Sequence, residues 1–392
     1  MNASHSLSSN IWKLYADRLI ANFYIFAPLL VPYYQASGLN ATEVFVIQAV
    51  YSAALCLLEI PTGYISDLWG RKKTLVAASI ILPTGILIYV LFPCFWGFIA
   101  AEIVIALGNS LRSGTDSSLL YDTLRELKRE NEHKKIEGNG HFLKQFSSAV
   151  AAILGGLIAT ISLNAPFYVS AAVFAMLLPL TLIMREPART KTERKTIPKH
   201  LRNMAKAVHN AAQDPKIRAL AVYSAFITAT SLAGFWSYFL LYGKMGLGVE
   251  HFGLLTAGCG ICCGLGGHFA HAIEKRVGQR AAYALPMLIA PGFFAIAALQ
   301  NLWAIPFILL NEFLWGYFTP LKLDMVHRNA PTSRRATTLS AISVAERLTF
   351  VILSVAAGRL VDLADLRYTH VFLGAVMLAA GAWAVTAMKP KT

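Results

Sequence analysis

Charged residues are scarce in this chain of 392 residues, at 14% against ~25% for typical soluble domains. An ordinary soluble enzyme is thereby excluded. No polar stretch is long enough to build a separate soluble domain with its own core; the longest interruption of apolar sequence runs only from Arg185 to Arg218. No Gly-x-x-x-x-Gly-Lys-Ser/Thr run is present, so ATP is not the expected energy source. Cysteine is also sparse. Cys56, Cys94, Cys259, Cys262 and Cys263 all lie in or beside apolar runs and suggest no disulfide framework. The triplet at Cys259 sits in the glycine-rich stretch Gly258–Gly267 without a second ligand pair, which reads as close helix packing; no metal and no cofactor are expected. His268 and His271 read as packed or interfacial side chains.

What the chain has in abundance is apolar sequence, 56% of the total. About 20 consecutive apolar residues let a helix cross a ~30 Å hydrocarbon core. Runs of that kind occupy 12–34, 42–65, 74–92, 95–121, 142–163, 166–184, 219–242, 252–273, 281–299, 302–321, 337–360 and 369–388. The expected fold is an all-α polytopic membrane protein of twelve transmembrane helices in two six-helix bundles. The polar Met1–Asn10, followed by a run carrying Asp17 and Arg18, lacks the layout of a cleavable signal, so the first run is expected to be retained.

Net charge is +14, which in a soluble protein would suggest nucleic acid. Here the basic residues fall in alternate loops, and no nucleic-acid partner is expected. With the N-terminus inside, all but Lys244, Arg347, Arg359 and Arg367 of the 35 Lys and Arg fall on the inner side, which predicts two cytoplasmic termini. The domains expected are 1–184, a first bundle; 185–218, a cytoplasmic linker; and 219–392, a second bundle. In the linker Leu201, Met204, Ala205 and Val208 have helical spacing beside Lys199, Arg202 and Lys206, predicting a basic helix on the inner membrane surface.

Between the second and third runs stands Gly63-Tyr64-Ile65-Ser66-Asp67-Leu68-Trp69-Gly70-Arg71-Lys72-Lys73. This resembles the Gly-x-x-x-Asp-x-x-Gly-Arg-Lys/Arg signature of the major facilitator superfamily, at the loop where that family carries it. The resemblance implies a gate role for Gly63, Asp67, Gly70, Arg71 and Lys72. Gly63 would permit close helix approach, and Asp67 would sit near the N-terminal end of another helix. The corresponding loop of the second half, from His271 to Arg280, keeps its basic character and Gly278 but not the acidic spacing. Ser113–Asp122 and Arg335–Ser340 are similar to facilitators of the bacterial drug-efflux, proton-antiporter type. Two departures stand out: the fifth run lacks the proline of the antiporter motif, and Arg112 stands nearer to Gly114 than the family's span-four motif has it.

Charges inside membrane runs are functional candidates, because each is costly unless paired or hydrated. Proton-coupling candidates are Glu312, near the middle of the tenth run, with Asp17, Glu102 and Glu346. Glu102, Ala106, Asn109, Ser113 and Asp116 make a polar stripe expected to face a water-filled cavity. Other cavity or substrate candidates are Arg18, Asn22, Tyr24, Arg112, Ser231, Phe235, Trp236, Tyr238, Trp315 and Arg347. Arg18 could instead snorkel to the inner surface, and Tyr238 and Tyr242 could be interface aromatics. Glu346 and Arg347 point about 100° apart and should serve different neighbours.

The expected activity is secondary active transport by alternating access, moving a small amphipathic molecule with proton-coupled efflux. A proton-coupled importer of a metabolite or siderophore would carry much the same residues, and a membrane-embedded enzyme or transport-dead sensor is the alternative of another class. The expected partners are a small-molecule substrate, protons and the lipid bilayer, for a monomer in a bacterial inner (plasma) membrane. The sequon Asn40-Ala41-Thr42 falls in the first outer loop.

Overall fold

Backbone amides in hydrocarbon must be satisfied within their own segment, so apolar runs of this length fold as helices. A computed structural model describes residues 7–188, 213–278, 283–330 and 335–387, and among these no strand occurs. The expected basic linker helix lies outside the described residues.

Ten helical segments are long and apolar enough to cross a membrane, and one apolar helix, Leu285–Leu299, is shorter. The first expected span is not one of the ten. α1, Asn10–Ala21, stops at Asn22, whose side-chain amide donates back to the Arg18 carbonyl at 2.7 Å; a 3₁₀ turn at Ala27–Leu29 leads into α2, Leu30–Ala36. Pro28 and Pro32 withdraw two backbone donors from this stretch, which favours short segments over one continuous rod.

The expected run 95–121 is also interrupted. α5, Phe95–Arg112, ends at Ser113, Gly114 takes a left-handed φ of +70°, and α6 resumes at Thr115–Glu126. Glycine tolerates that conformation at little cost. The sixth run divides into α8, Ala165–Ala175, and α9, Leu177–Leu182.

Between these lie α3, Ala41–Trp69; α4, Arg71–Leu91; and α7, His133–Ala159. The second half adds α10, Pro215–Lys244; α11, Val249–Val277; α12, Leu285–Leu299; α13, Ile305–Asn329; α14, Arg335–Leu363; and α15, Leu366–Ala387. The described residues form two compact units. Unit 1 holds 7–33, 54–188 and 249–257; unit 2 holds 34–53, 213–248, 258–278, 283–330 and 335–387. α3 thus starts in unit 2 and finishes in unit 1, while α11 starts in unit 1 and continues in unit 2.

In unit 1, α4 packs along α5 and α8, and α1 along α7. The α4–α5 seam is close because a Cβ on Gly85 would lie 2.6 Å from Ile105 Cγ1 and one on Gly108 would lie 2.6 Å from Leu82 Cδ2. Small residues are the usual means of bringing membrane helices together. A ring cluster fills one end, with Phe26 stacked on Phe167 at 5.1 Å and Tyr33 4.4 Å from Phe167. Leu14, Leu75, Leu119, Leu120, Leu124 and Ile136 form a second apolar cluster.

In unit 2, α10 packs on α14 and α15, and α12 on α15 and α13. α11 crosses α13 backbone to backbone, since a Cβ on Gly316 would overlap the Cys263 carbonyl.

Candidate functional site

The break after α5 decides the chemistry of unit 1. Arg112 occupies the last turn before Ser113, and both of its terminal nitrogens bind the Asp17 carboxylate on α1, one of them at 3.2 Å. The neighbouring Arg18 turns the other way. Its Nε reaches Asp116 Oδ2 at 3.0 Å and its Nη2 reaches Glu137 Oε2 at 2.8 Å, while Lys144 Nζ lies 3.3 Å from the same Asp116 oxygen. Space for the Arg18 guanidinium exists only because position 140 is glycine; a Cβ there would collide with it.

Three acids and three bases therefore alternate across α1, α5, α6 and α7. Asp17 is fully buried and Arg18 is 1% exposed, so Arg18 does not snorkel to a membrane surface. Asp116 lies in the first turn of α6, where the helix N-terminus favours a carboxylate. Beside the cluster the Tyr24 hydroxyl donates to Asn109 Oδ1 at 2.8 Å, and the Tyr24 ring packs 4.7 Å from Phe174.

The expected continuous polar stripe is corrected in two respects. Glu102 and Asp116 are buried among protein groups, whereas Ser113 is exposed, so the five residues do not share one wetted wall. The break at Ser113–Gly114 also puts Asp116 on a separate helix. Arg112, which the sequence sets apart from the family's spacing, is nonetheless the partner of Asp17.

Unit 2 holds two separate acidic positions. Glu346 on α14 accepts from the Thr228 hydroxyl of α10 at 2.9 Å and from Lys322 Nζ of α13 at 2.7 Å; Arg347 is half-buried. The sequence places Lys322 in an inner loop. The helix instead continues through it to Asn329, and its ammonium lies 5.7 Å above the Phe318 ring.

Glu312, on the same helix, is 7% exposed and forms no ion pair among the described residues. Tyr238 and Tyr242 of α10 and Cys259 of α11 are likewise buried. Trp315 lies one turn on, its ring 6.2 Å from Phe318.

The expected aromatic wall of α10 divides in two. Tyr238 and Tyr242 are 2% exposed and so are not interface aromatics, while Phe235 and Trp236 are half-buried and meet edge to face at 5.5 Å. Ser231 is buried, and its hydroxyl makes no hydrogen bond among the described residues. The sequence reading missed His370, fully buried on α15, whose Nε2 lies 3.1 Å from Ser237 Oγ and whose ring stacks on Tyr238. A lone histidine within an apolar run was the available signal.

In the signature loop, Gly70 has φ +116° and caps α4, a conformation that favours glycine. Asp67 pairs with Arg71 at 2.6 Å, and Arg71 also binds Ser66 Oγ at 3.0 Å and approaches Asp122 at 3.8 Å. At the N-terminus of α4, Glu186 accepts from the Arg71 and Lys72 amides at 2.9 and 2.7 Å. Gly63 is exposed, with open space around its Cβ direction, so the close approach expected there does not occur among the described residues. None of the five cysteines is in a disulfide, and no metal-holding cluster forms among the described residues.

Comparisons with known proteins agree with this architecture. The inner membrane transport protein YajR of Escherichia coli (strain K12) is 26% identical over 172 residues, a match covering 43% of this chain and 36% of that protein. The chain therefore spans little more than a third of its curated relative. Among solved structures, the nucleoside transporter NupG superposes with a TM-score of 0.80 at 11% identity over 100% of both chains. A bacterial homologue of the human lysosomal transporter Spinster, in an inward-facing and unoccupied conformation, gives 0.75 at 14% identity over 98% of both. A POT family transporter in complex with a thioalcohol-conjugated peptide gives 0.71 at 12% identity, covering 98% and 97% of the two chains. A sequence model of the family matches residues 19–352, and the chain belongs to the Major Facilitator Superfamily.

Proposed function

We propose that the protein is a secondary active transporter that works by alternating access and exports a small amphipathic molecule in exchange for protons. The observation that carries the coupling is Glu312. A carboxyl 7% exposed in the N-terminal half of a membrane-spanning helix, with no cation paired to it among the described residues, is stable there chiefly when it holds a proton. It must then be wetted to release that proton. Asp17 and Glu346, each held by a cation, are organised as fixed charges, and the paired cluster of unit 1 gives the helices a polar interior without a free charge.

The half-buried aromatic rings of Phe235 and Trp236 on α10 and of Trp315 on α13 suit a substrate with an apolar body. Asp67 and Arg71 are assigned to the inner gate on the strength of the family signature. On this reading the residues 1–184 and 219–392 move as two bundles joined by 185–218, with both termini cytoplasmic and the chain in a bacterial plasma membrane.

The test is collapse of a pH gradient in inverted vesicles on addition of cationic amphiphiles. Wild type should release protons with substrate and Glu312→Gln should not. Proton-driven uptake of substrate in right-side-out cells, with no release from inverted vesicles, would make the protein an importer instead.

A further inference from the structure

The N-terminus of α3 is bound by two carboxylates, and only one is local. Asn40 and Glu43 form a reciprocal cap: the Asn40 amide donates to Glu43 Oε2 and the Glu43 amide donates to Asn40 Oδ1, each at 2.9 Å. That arrangement leaves the first two helical amides unsatisfied. Both are taken by Asp362, on the last turn of α14: the Ala41 amide donates to Oδ1 at 3.0 Å and the Thr42 amide to Oδ2 at 2.8 Å. The partners are 320 positions apart in sequence.

The approach is built for contact. A Cβ on Gly358, one turn before Asp362, would lie 2.8 Å from Thr42 Cα, so the α14 backbone rests directly on α3. Beside it Lys244 bridges Asp365 at 2.7 Å and Gln300 at 2.7 Å, around a cavity of about 380 Å³ that also borders Gln35, Asn40 and Leu240. The sequon Asn40–Thr42 is thus occupied by cap and carboxylate contacts.

All these groups lie in unit 2, yet the remainder of α3 from Ala54 onward is built into unit 1. A helix shared in this way is where a closing contact has leverage. Resting on the alternating-access reading, which puts this end of α3 on the outer side, we propose that Asp362 is an outer latch: its carboxylate grips the N-terminus of α3, stabilises the conformation described here, and must let go in each transport cycle. The charge sits where the helix dipole is most favourable, and two charge-assisted hydrogen bonds fix its geometry.

The experiment uses the full chain in lipid nanodiscs with its five cysteines replaced by serine. Spin labels at Ser37→Cys and Arg367→Cys report the separation across the latch. Asp362→Ala should enlarge the long-distance population on the order of tenfold. Ala41→Pro keeps the carboxylate but deletes one donor at a helix position that tolerates proline, and should give a smaller shift in the same direction. It also serves if Asp362→Ala fails to fold. Distance distributions unchanged in the folded variants would overturn the latch. The transport reading is judged separately on the unlabelled wild type, whose vesicle assay stands or fails whatever the labels report.

Discussion

Arg112 and Asp17 are 95 positions apart and bind each other through two hydrogen bonds, with Asp17 wholly buried. Removing one partner of such a pair leaves the other charge uncompensated, at a cost of about 3–5 kcal/mol. Asp17→Asn should therefore lower the thermal unfolding midpoint in detergent markedly. The double variant Asp17→Asn with Arg112→Gln should recover most of the loss, because neither charge is then stranded. A double variant no more stable than the single one would show that the pair is not coupled.

Glu312→Gln keeps the shape of the side chain and removes the titrating group. Uphill transport driven by a pH gradient should vanish, while exchange of labelled for unlabelled substrate persists. Loss of exchange as well would mean that Glu312 contacts substrate or holds structure.

At Glu346 the partners are unequal. Among the described residues, Lys322→Met leaves the carboxylate with the Thr228 hydroxyl alone, whereas Thr228→Val leaves it its ion pair. The lysine change should destabilise by more, roughly 3–5 kcal/mol against 1–3 kcal/mol for loss of the hydroxyl. Parallel denaturation of the two variants checks the order.

The Asp365 carboxyl, in the turn between α14 and α15, is held below the ordinary carboxylate range by the Lys244 hydrogen bond, then by the Arg367 amide. A depressed folded-state pKa stabilises above the unfolded pKa and is lost as pH falls through the folded value. The stability difference between wild type and Asp365→Asn should thus stay level from pH 8 to 5 and close only below about pH 4. A difference already closing between pH 7 and 6 would contradict this.

Gly316→Leu meets the Cys263 carbonyl at the α11–α13 crossing. Neither backbone can yield by side-chain rotation, so the folded yield should fall sharply, while Gly63→Ala, facing open space, should leave it unchanged. Size-exclusion recovery after detergent extraction compares the two.

Hydropathy located the membrane helices because their length is a property of the local sequence. The breaks were harder to place: Pro28 and Pro32 signal one at α1–α2, but in the run 95–121 the decisive left-handed turn is a single Gly114 among other small residues. Lys322 was misplaced because hydropathy falls before the helix ends at Asn329. The helical spacing of Glu346 and Arg347 predicts different directions for the two side chains, yet spacing could not name Lys322 as a partner of Glu346. Arg112 with Asp17, Arg18 with Glu137, and Asp362 with α3 are meetings across distant chain positions. No local pattern encodes them.

The ionic cluster of unit 1 has a formal charge of zero when Asp17, Asp116 and Glu137 face Arg18, Arg112 and Lys144. Its members are unequally accessible: Glu137 and Lys144 are about one-third exposed, whereas Asp17 and Arg18 are sealed. Neutrality is therefore a property of the six groups together and not of any single pair: deleting one of them leaves an unbalanced ion in a medium where an isolated charge is costly, and the loss is felt least at the edge that water reaches.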